Sequence, residues 1–595
     1  MSQSLVSRLY SSLTEAIDHR VGWDKLPTPL GLLTFVGIRN RLRARNLYDS
    51  GRGPRERPPA DDALHRRHLT SRTLDGTYND LADPLIGSIG SRFGRNVPLD
   101  WVYPDPDERI LSPNPRTVSL ELLTRDVFKP ATTLNVLAAA WIQFEVHDWF
   151  SHGENERGNE WMVKLSERDD WLQRPMLIPR ARRDPSAEDG GPPSFLTADT
   201  HWWDGSQIYG STVEFAEALR SGKHGRLRID DSTGLPPEEV ESQLDLQGVA
   251  GNFWVGLALL HALFMLEHNA ICDRLHAEYP SLDDDEVYAK ARLVNAALMA
   301  KIHTVDWTPA VIAHPTTMLA LRTNWWGLFG ERFMRSFGRR TKSELIHGIP
   351  GSRKRLFGVP YSLTEEFVAV YRMHPLIPDD YVFHSLAGDK QPEQRTFPEL
   401  DVRHVRKFLK EIPLADAFYS FGIANPGRIT LHNYPRFLQT LKRSDEIIDL
   451  AATDIVRTRE RGVPRYNDFR RLFHLQPIRT FDELTPNREW AEEMARVYKG
   501  EIEDVDLMIG LYAEPFPEGF GFSDTAFRVF VLMASRRLEA DRFFTDDYRP
   551  EIYTPHGIEW VESNNMRSVL LRHLPQLEPA LRGVQNPFAP WNRVK

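Results

Sequence analysis

Residues 134–151 read LNVLAAAWIQFEVHDWFS, an apolar stretch that ends with a histidine and an aspartate. Val136, Ala140, Gln143 and His147 recur at helical spacing, so the sequence predicts a helix on which Gln143 and His147 extend an apolar face. A buried amide or imidazole without a hydrogen bond costs ~1–3 kcal/mol, so this polar pair needs partners or a cofactor. The same pattern is also that of an ordinary core histidine, and a second histidine in a similar setting is needed to favour a functional site.

A second helix is predicted within residues 362–378, SLTEEFVAVYRMHPLIP. Ser362 and Glu365 have the spacing of a capping box at its start. Pro375 disfavours continuation of the helix, so the residue before it, His374, is expected at a helix end that faces a cavity.

Tyr371 and His374 are the candidate chemical groups of this segment. Residues three apart on a helix have β-carbons ~5–6 Å from each other, so the phenol and the imidazole are expected to be neighbours. Neutral imidazole is the usual protein ligand of haem iron, and a tyrosine one turn away could pass an electron to an oxidised haem and become a radical. On spacing alone, the alternative is a core tyrosine beside a structural histidine.

A third signal lies in residues 200–206, THWWDGS. Calcium takes 6–8 oxygen ligands at ~2.3–2.6 Å, and an extended loop with alternating polar positions would aim its oxygens at a single point. Asp148 could add a carboxylate from the first predicted helix. An Asp-Gly turn is the alternative explanation. The alternating residues are Thr200, Trp202, Asp204 and Ser206.

Composition and charge narrow the class of protein. The chain has 595 residues, of which 41% are hydrophobic and 26% charged, the balance of a globular protein with a sizeable core. Its net charge is -9 with both signs interspersed, which argues against a nucleic-acid partner. Cys272 is the only cysteine, so no intramolecular disulfide can form. Residues 1–8 lack a signal-peptide pattern, and we expect an unprocessed cytoplasmic protein.

Two apolar stretches bear on membrane contact. Residues 26–37 and 253–266 are both shorter than the ~20 residues that span a bilayer, so neither is expected to be a transmembrane helix. The first stretch precedes a row of arginines. This combination fits either a helix that rests on a membrane surface or a docked helix with a solvated arginine face. The arginines are Arg39, Arg41, Arg43 and Arg45.

Helical spacing also dominates the rest of the chain, whereas alternating strand patterns are short and few. The sequence therefore predicts a mainly α architecture with one large helical domain. No Gly-rich phosphate loop follows a predicted strand, which disfavours a nucleotide-binding fold.

Together, these segments resemble the peroxidase and cyclooxygenase superfamily of haem proteins, and within it most closely the alpha-dioxygenases. The likeness spans most of the chain and keeps the order of the motifs. The matching segments are SRFGRNVP (91–98), WIQFEVHDWFSH (141–152), THWWDGSQIYGS (200–211), LEHNAICDRL (266–275), KIHTVDWTPAVI (301–312), VYRMHPLIPD (370–379) and MASRRLEADRFFT (533–545).

The resemblance implies a single haem peroxidase-like domain over residues 61–595 after an N-terminal helical segment over residues 1–60. It implies bound haem b and a bound Ca²⁺ ion. In the haem site, His374 would be the proximal iron ligand, His147 the distal histidine, Gln143 its neighbour and Tyr371 the radical-bearing residue. The implied calcium ligands are Asp148, Thr200, Trp202 through its carbonyl, Asp204 and Ser206.

The resemblance also implies a clamp for a substrate carboxylate, formed by His303, Thr308 and an arginine near the C-terminus. A carboxylate at the end of an apolar tunnel needs charge-assisted hydrogen bonds, worth ~1.5–3 kcal/mol each. Arg536 and Arg537 each continue an apolar stripe of one predicted helix, so periodicity cannot separate them. The position within the motif favours Arg537.

The implied activity is the addition of O2 to the carbon next to the carboxylate of a fatty acid. An activating peroxide and haem would generate a radical on Tyr371, and the clamped carboxylate would fix the point of attack, giving a 2-hydroperoxy fatty acid. We expect a monomer. One alternative is a haem peroxidase of small reductants that does not use Tyr371, and another is a non-catalytic lipid- or calcium-binding protein of the same fold.

Overall fold

Helices dominate the protein, whose structure is a computed structural model that describes residues 5–56, 67–188, 190–238, 240, 253–339, 341–401, 404–443 and 446–594. Strands within these ranges are short and form antiparallel hairpins: β1 (Glu156–Val163) with β2 (Met176–Arg180), β3 (Asp380–Ser385) with β4 (Lys390–Thr396), and β5 (Leu441–Arg443) with β6 (Glu446–Ile448). The predicted mainly α architecture with few short strands is confirmed.

The longer described helices are α1 (Leu5–Arg20), α2 (Thr28–Arg45), α3 (Val136–Val146), α4 (Val213–Leu219), α5 (Val255–Glu278), α6 (Asp284–Ile302), α7 (Pro315–Trp326), α8 (Gly330–Phe337), α9 (Glu365–Val370), α10 (Val405–Glu411), α11 (Leu414–Ile423), α12 (Leu450–Glu460), α13 (Tyr466–Leu472), α14 (Arg488–Val497), α15 (Leu507–Ala513), α16 (Asp524–Ala540), α17 (Pro555–Ser563) and α18 (Met566–His573). Single-turn α-helices are Asp107–Ile110, Pro115–Val118, Ser206–Tyr209, Thr308–Val311, Glu344–His347, Phe481–Leu484, Pro550–Tyr553 and Glu578–Leu581. The π-helical turns are Ser119–Leu123 and His303–Trp307. The 3-10 turns are Trp23–Lys25, Leu99–Trp101, His374–Leu376, Phe397–Glu399, Arg436–Thr440, Ile502–Asp504 and Pro575–Leu577.

Two long helices, α5 and α6, form the centre of the protein. Asp283 and Glu286 form a capping box at the start of α6, and α3 packs across α5. By length and composition α5 could cross a membrane, but 89% of its most apolar window is buried inside the protein. A helix that is apolar on all sides and enclosed by other helices is typical of a core.

The N-terminal helices pack onto the C-terminal part of the chain. α2 lies against α7 and α16, and Trp23 and Phe35 belong to the same buried apolar cluster as Trp307. The predicted boundary between residues 60 and 61 lies outside the described residues, since these exclude 57–66.

The arginine row of α2 does not form a solvated face. Successive residues of an α-helix are turned by about 100°, so arginines at alternate positions point to opposite sides. Arg43 pairs with buried Glu539 of α16, and Arg41 pairs with Glu15 of α1 at 2.7 Å. The helix is docked, but the expectation of a solvated arginine face is wrong for Arg41 and Arg43, which are buried, while Arg45 is exposed.

Candidate active site

The predicted site residues come from α3, α9, α16 and the π-helical turn His303–Trp307. His147 is the C-terminal cap of α3, and its backbone N–H donates to the carbonyl of Gln143 at 2.9 Å. Its Nε2 is buried and has no hydrogen-bond partner among the described residues. Burial lowers the pKa of His147 to about 4, so the ring is neutral at neutral pH. A buried, unpaired imidazole nitrogen is suited to a bound ligand or cofactor.

The side chain of Gln143 is oriented by a residue that the sequence analysis did not identify. Trp254, directly before α5, donates its indole N–H to Oε1 of Gln143 at 2.8 Å. This bond fixes which way the amide of Gln143 points. No sequence pattern connects the two positions, so only the fold reveals the contact.

The helix before Tyr371 begins later than predicted. Thr364 caps α9, because its hydroxyl accepts the N–H of Phe367 at 3.2 Å. Glu365 is engaged elsewhere, with Oε1 at 3.0 Å from Nε2 of His152. The predicted capping box of Ser362 and Glu365 is therefore wrong.

The same helix also ends earlier than predicted. α9 ends at Val370, Tyr371 is its C-terminal cap, and His374 begins a separate 3-10 turn that contains Pro375. Proline lacks a backbone N–H and restricts the residue before it, so the chain leaves the α-helical path before the histidine. The expectation that Tyr371 and His374 share one face of a single helix is wrong, although both lie at the same end of α9.

Tyr371 lies among aromatic rings. The centroid of its ring is 4.3 Å from that of Phe367, 6.0 Å from that of Phe150 and 6.3 Å from that of Phe530 on α16. Burial raises the pKa of Tyr371 strongly, and the charge of Arg537 opposes this shift only in part. The phenol therefore keeps its proton at neutral pH.

His374 faces a buried carboxylate that the sequence analysis did not identify. Its Nδ1 lies 3.2 Å from Oδ2 of Asp454 on α12, a close charge contact rather than an aligned hydrogen bond. Arg372 lies 3.2 Å from the other oxygen of Asp454. Burial alone would raise the pKa of Asp454, but Arg372 and His374 together lower it. The ionised carboxylate favours a proton on Nδ1 of His374 and leaves Nε2 for a metal ligand bond.

His303 and Thr308 lie at the two ends of the π-helical turn. Nδ1 of His303 accepts the indole N–H of Trp141 at 3.2 Å, so Nε2 carries the ring proton. Burial, together with the charge of Arg537, lowers the pKa of His303 to about 3. The hydroxyl of Thr308 donates to the carbonyl of His303 at 2.7 Å. The turn thus carries a neutral histidine with its N–H at Nε2, and the hydroxyl of Thr308 is bonded to the backbone of the same histidine.

The two candidate arginines face different surroundings. The guanidinium of Arg537 lies 3.4 Å from the ring centroid of Trp149 and donates to the hydroxyl of Tyr361 at 3.2 Å. Its charge acts on both Tyr371 and His303. Arg536 instead donates to the backbone carbonyls of residues 359 and 360 at 2.9 Å each. Of the two, Arg537 is the arginine that faces the other predicted site residues.

The predicted calcium ligands converge in a buried loop. Ser206 donates to Oδ2 of Asp148 at 2.5 Å, and Thr200 donates to Oδ2 of Asp204 at 2.9 Å. Burial, with a smaller contribution from Asp204, raises the pKa of Asp148 to about 7. The indole of Trp202 points elsewhere, because it donates to the carbonyl of Ile86 at 3.0 Å.

The loop is bent rather than extended, contrary to expectation. Gly205 has a left-handed backbone with φ 77°, and an added Cβ would lie 2.8 Å from the ring of Tyr209. The backbone N–H of Ser206 donates to Oδ1 of Asp204 at 3.1 Å across this turn. Within the described ranges, no group of three or more histidine, cysteine or acidic side chains has the geometry of a metal site.

Comparison with known proteins gives consistent matches. The model of the animal haem peroxidase family matches residues 71–586. The chain is 38% identical to "Alpha-dioxygenase PIOX" of Oryza sativa over 97% of this chain and 94% of that protein. The crystal structure of the fatty acid alpha-dioxygenase of Oryza sativa has a TM-score of 0.91 at 36% identity, covering 99% of this chain and 97% of that one. A tyrosine-to-phenylalanine variant of that enzyme with palmitic acid has a TM-score of 0.90 at 35% identity, with coverages of 99% and 98%.

Proposed function

The chain belongs to the alpha-dioxygenases of the animal haem peroxidase family, and we propose that it adds dioxygen to the carbon next to the carboxylate of a fatty acid. The product is a 2-hydroperoxy fatty acid. The observation that carries this proposal is that Arg537 and His303 lie against the same ring: the guanidinium of Arg537 is 4.7 Å from the ring centroid of Trp203, and the ring centroid of His303 is 5.0 Å from it. A carboxylate held by Arg537 and His303 would bring its neighbouring carbon near the phenol.

The residues of the site fit a haem group. His147 has a buried Nε2 without a partner, and the contact of His374 with Asp454 leaves its own Nε2 for iron. His374 would be the proximal ligand of haem b, with His147 as the distal histidine. Once a peroxide has activated it, bound haem supplies a one-electron oxidant for a tyrosine.

With haem bound, His147 would take up the proton of the activating peroxide. Its low pKa keeps the ring neutral at neutral pH, so the ring nitrogen that carries no hydrogen can accept the proton. Gln143, one helical turn earlier, has its amide oriented by Trp254 and is the neighbouring polar group.

Tyr371 carries the radical. Because its phenol is protonated, it loses a proton together with an electron. The phenoxyl radical takes a hydrogen atom from C2 of the fatty acid, O2 adds to the resulting carbon radical, and the peroxyl radical takes the hydrogen atom back from Tyr371. One O2 is added to the substrate, and the tyrosyl radical is regenerated.

Arg537, His303 and Thr308 hold the carboxylate. Arg537 supplies positive charge, and His303 supplies the N–H of Nε2, because its Nδ1 accepts from Trp141. The hydroxyl of Thr308 would turn from the carbonyl of His303 to the carboxylate. Such a clamp at the tyrosine restricts attack to the first carbon beyond the carboxylate.

We further propose a Ca²⁺ ion in the loop of residues 200–206. The ligands would be Asp148, Thr200, Asp204, Ser206 and the carbonyl of Trp202. These groups offer the hard oxygen donors that Ca²⁺ prefers. Asp148 and Asp204 are both buried, and an ion between them would offset the cost of burying two carboxylates.

Mass spectrometry of products tests the reaction. When the holoenzyme reacts with palmitate and labelled O2 in the presence of catalytic amounts of peroxide, we expect a product that carries both labelled oxygen atoms on C2.

Tyr371→Phe should abolish O2 uptake and keep the haem Soret band. Tyr434→Phe is the matched control, because its buried phenol lies 5.6 Å from the ring of His374 and should be dispensable. Stoichiometric peroxide consumption without O2 uptake would indicate a peroxidase of small reductants instead.

A further inference from the structure

The outer side of α2 and α7 and the turn that follows α7 expose a group of large apolar side chains. We call this surface the apolar face. Its members are between 41% and 60% exposed, far more than the core residues beneath them. They are Leu30 and Leu33 on α2, Met318 and Leu319 on α7, and Leu328 and Phe329 in the turn.

These side chains form one continuous surface. α2 and α7 cross closely at Gly31, where an added Cβ would lie 2.8 Å from the hydroxyl of Thr316. This crossing brings α2, with its exposed leucines, against α7, which exposes Met318 and Leu319. The turn after α7 is tied to the next segment, because the N–H of Leu328 donates to the carbonyl of Leu345 at 3.0 Å. Leu345 is itself 62% exposed and borders the apolar face.

Aromatic side chains and arginines both occur on the segment at one end of the apolar face. Phe329, Phe333 and Phe337 form a ladder along α8, with ring centroids 4.9 and 4.7 Å apart. Arg322 on α7 and Arg332 on α8 are exposed, and Arg335 of α8 pairs with Glu331 at 2.6 Å. Apolar and aromatic side chains that enter the acyl region, with arginines at the level of anionic headgroups, are the composition of an interfacial lipid-binding surface.

A crevice lies directly inside the apolar face. It runs between α2, α7 and α16 and is lined by apolar side chains that include Phe35, Leu321 and Phe530. The ring of Phe530 stacks towards Tyr371 at 6.3 Å. The helices that carry the apolar face on their outer sides thus bound, on their inner sides, a small crevice, and Phe530 separates this crevice from Tyr371.

We propose that the apolar face rests on a lipid surface with anionic headgroups and that fatty acids enter the protein from this lipid beside the crevice. The part of the proposal that concerns fatty acids rests on the proposed function. The protein would be a cytoplasmic monomer that contacts the membrane from one side. A fatty acid dissolved in lipid would then reach the site without crossing water, where moving its chain is costly.

Vesicle binding by the holoenzyme tests this surface. With phosphatidylcholine vesicles that contain a minority of phosphatidylglycerol, the wild-type protein is expected to co-sediment. The double variant Leu328→Ser/Phe329→Ser should bind about tenfold more weakly or worse, because two large side chains no longer enter the acyl region. Leu172→Ser is the matched control, since Leu172 is 86% exposed and lies between β1 and β2, outside the apolar face. This variant should bind as the wild type does.

Activity separates the surface from the chemistry. The double variant should oxygenate octanoate in solution at the wild-type rate and palmitate in vesicles more slowly. Equal vesicle binding by the wild type and the double variant would overturn the proposal, and so would no binding by either. A wild-type dimer that the double variant converts to a monomer would also overturn it, because the apolar face would then join two copies. If the protein binds vesicles as expected but oxygenates no fatty acid, the proposed function is wrong, whereas the proposal that the apolar face binds lipid still holds.

Discussion

Asp454 faces His374 without touching the reacting groups. Its negative charge should change the midpoint potential of bound haem iron. A carboxylate that faces Nδ1 makes the imidazole more electron-rich and stabilises oxidised iron. Asp454→Asn keeps the shape and removes the charge, so we expect the midpoint potential of the haem to rise while the Soret band is retained. Spectroelectrochemistry measures both.

The control for this variant lies on the same helix. The carboxylate of Glu460 accepts the indole N–H of Trp161 at 2.8 Å and takes no part in the contact with His374. Glu460→Gln should leave the potential unchanged. If Asp454→Asn also leaves the midpoint potential unchanged, the carboxylate of Asp454 does not affect the haem through His374.

Arg537 and Arg536 offer a matched pair for the carboxylate clamp. Arg537→Ala removes the charge near Tyr371 and His303, and loss of charge-assisted bonds worth ~1.5–3 kcal/mol each should raise KM for palmitate by about tenfold to a hundredfold. Arg536→Ala should change KM little, because its guanidinium holds the backbone at residues 359 and 360. Steady-state O2 uptake gives both constants. A larger rise in KM for Arg536→Ala would reverse the assignment.

The sequence identified residues whose chemistry is unusual for their setting, and it missed the residues that orient them. His147 and His374 are recognisable because an imidazole in an apolar helical segment needs a partner. Trp254 and Asp454 lie far away in the chain, in positions that read as ordinary core tryptophan and helix aspartate. Their roles follow from the contacts of helices that no local pattern encodes.

At the scale of elements, the pair between Arg43 of α2 and Glu539 of α16 tests how firmly the N-terminal segment is docked. Burial lowers the pKa of Arg43 to about 10 and raises that of Glu539 to about 7, so both charges are held at a cost. Arg43→Met leaves the carboxylate buried without its partner, and we expect the free energy of unfolding to fall by about 3–5 kcal/mol. Urea unfolding followed by circular dichroism measures this.

The double variant Arg43→Met/Glu539→Gln separates the pair from the packing around it. Because neither charge then remains buried, it should recover most of the lost stability. A double variant as unstable as the single one would mean that packing of the arginine stem, rather than the buried charge, holds α2 in place.

Periodicity predicted the helices well where they are long and poorly where the chain turns. α3 lies within the predicted stretch, whereas α9 is shorter than the pattern of residues 362–378 suggested. The difference arises because the side chain of Glu365 binds His152 and because Pro375 ends helical geometry near His374. Tertiary contacts decide helix ends, and a sequence pattern does not include them.

At the scale of the whole molecule, composition predicted a large apolar core, and one buried cluster does run from Trp23 near the N-terminus to Trp591 near the C-terminus. The arginines of α2 could not be interpreted from sequence, because their acidic partners lie on other helices. The surroundings of Arg537 are likewise seen only in the structure, where its guanidinium stacks on Trp149. The fold class was thus accessible from the chain, and the coupling between its distant parts was not.

If the loop of residues 200–206 binds the proposed Ca²⁺ ion, the ion would couple two halves of the site, and its removal should affect the whole molecule. Asp148 lies between His147 and Trp149 in sequence, and Trp149 packs on Arg537. A cation on Asp148 would therefore steady both the distal histidine and the carboxylate clamp. We expect chelation to lower Tm, slow peroxide activation and raise KM for palmitate together.

The size of the change in Tm and the identity of the ion that reverses it distinguish this coupling from a general salt effect. An ion at about a hundred times its Kd contributes ~2.7 kcal/mol to stability, so the fall in Tm should be reversed by Ca²⁺. Mg²⁺ should restore less, because it demands a smaller octahedral set of ligands. Asp204→Asn should lower the starting Tm and remove the response to chelator. Asp231→Asn changes an exposed aspartate outside the loop and should keep the response to chelator. If calcium-free protein, verified by elemental analysis, keeps its Tm and KM, the two carboxylates of the loop are held by their hydroxyl partners alone, and no ion links the distal histidine to the clamp.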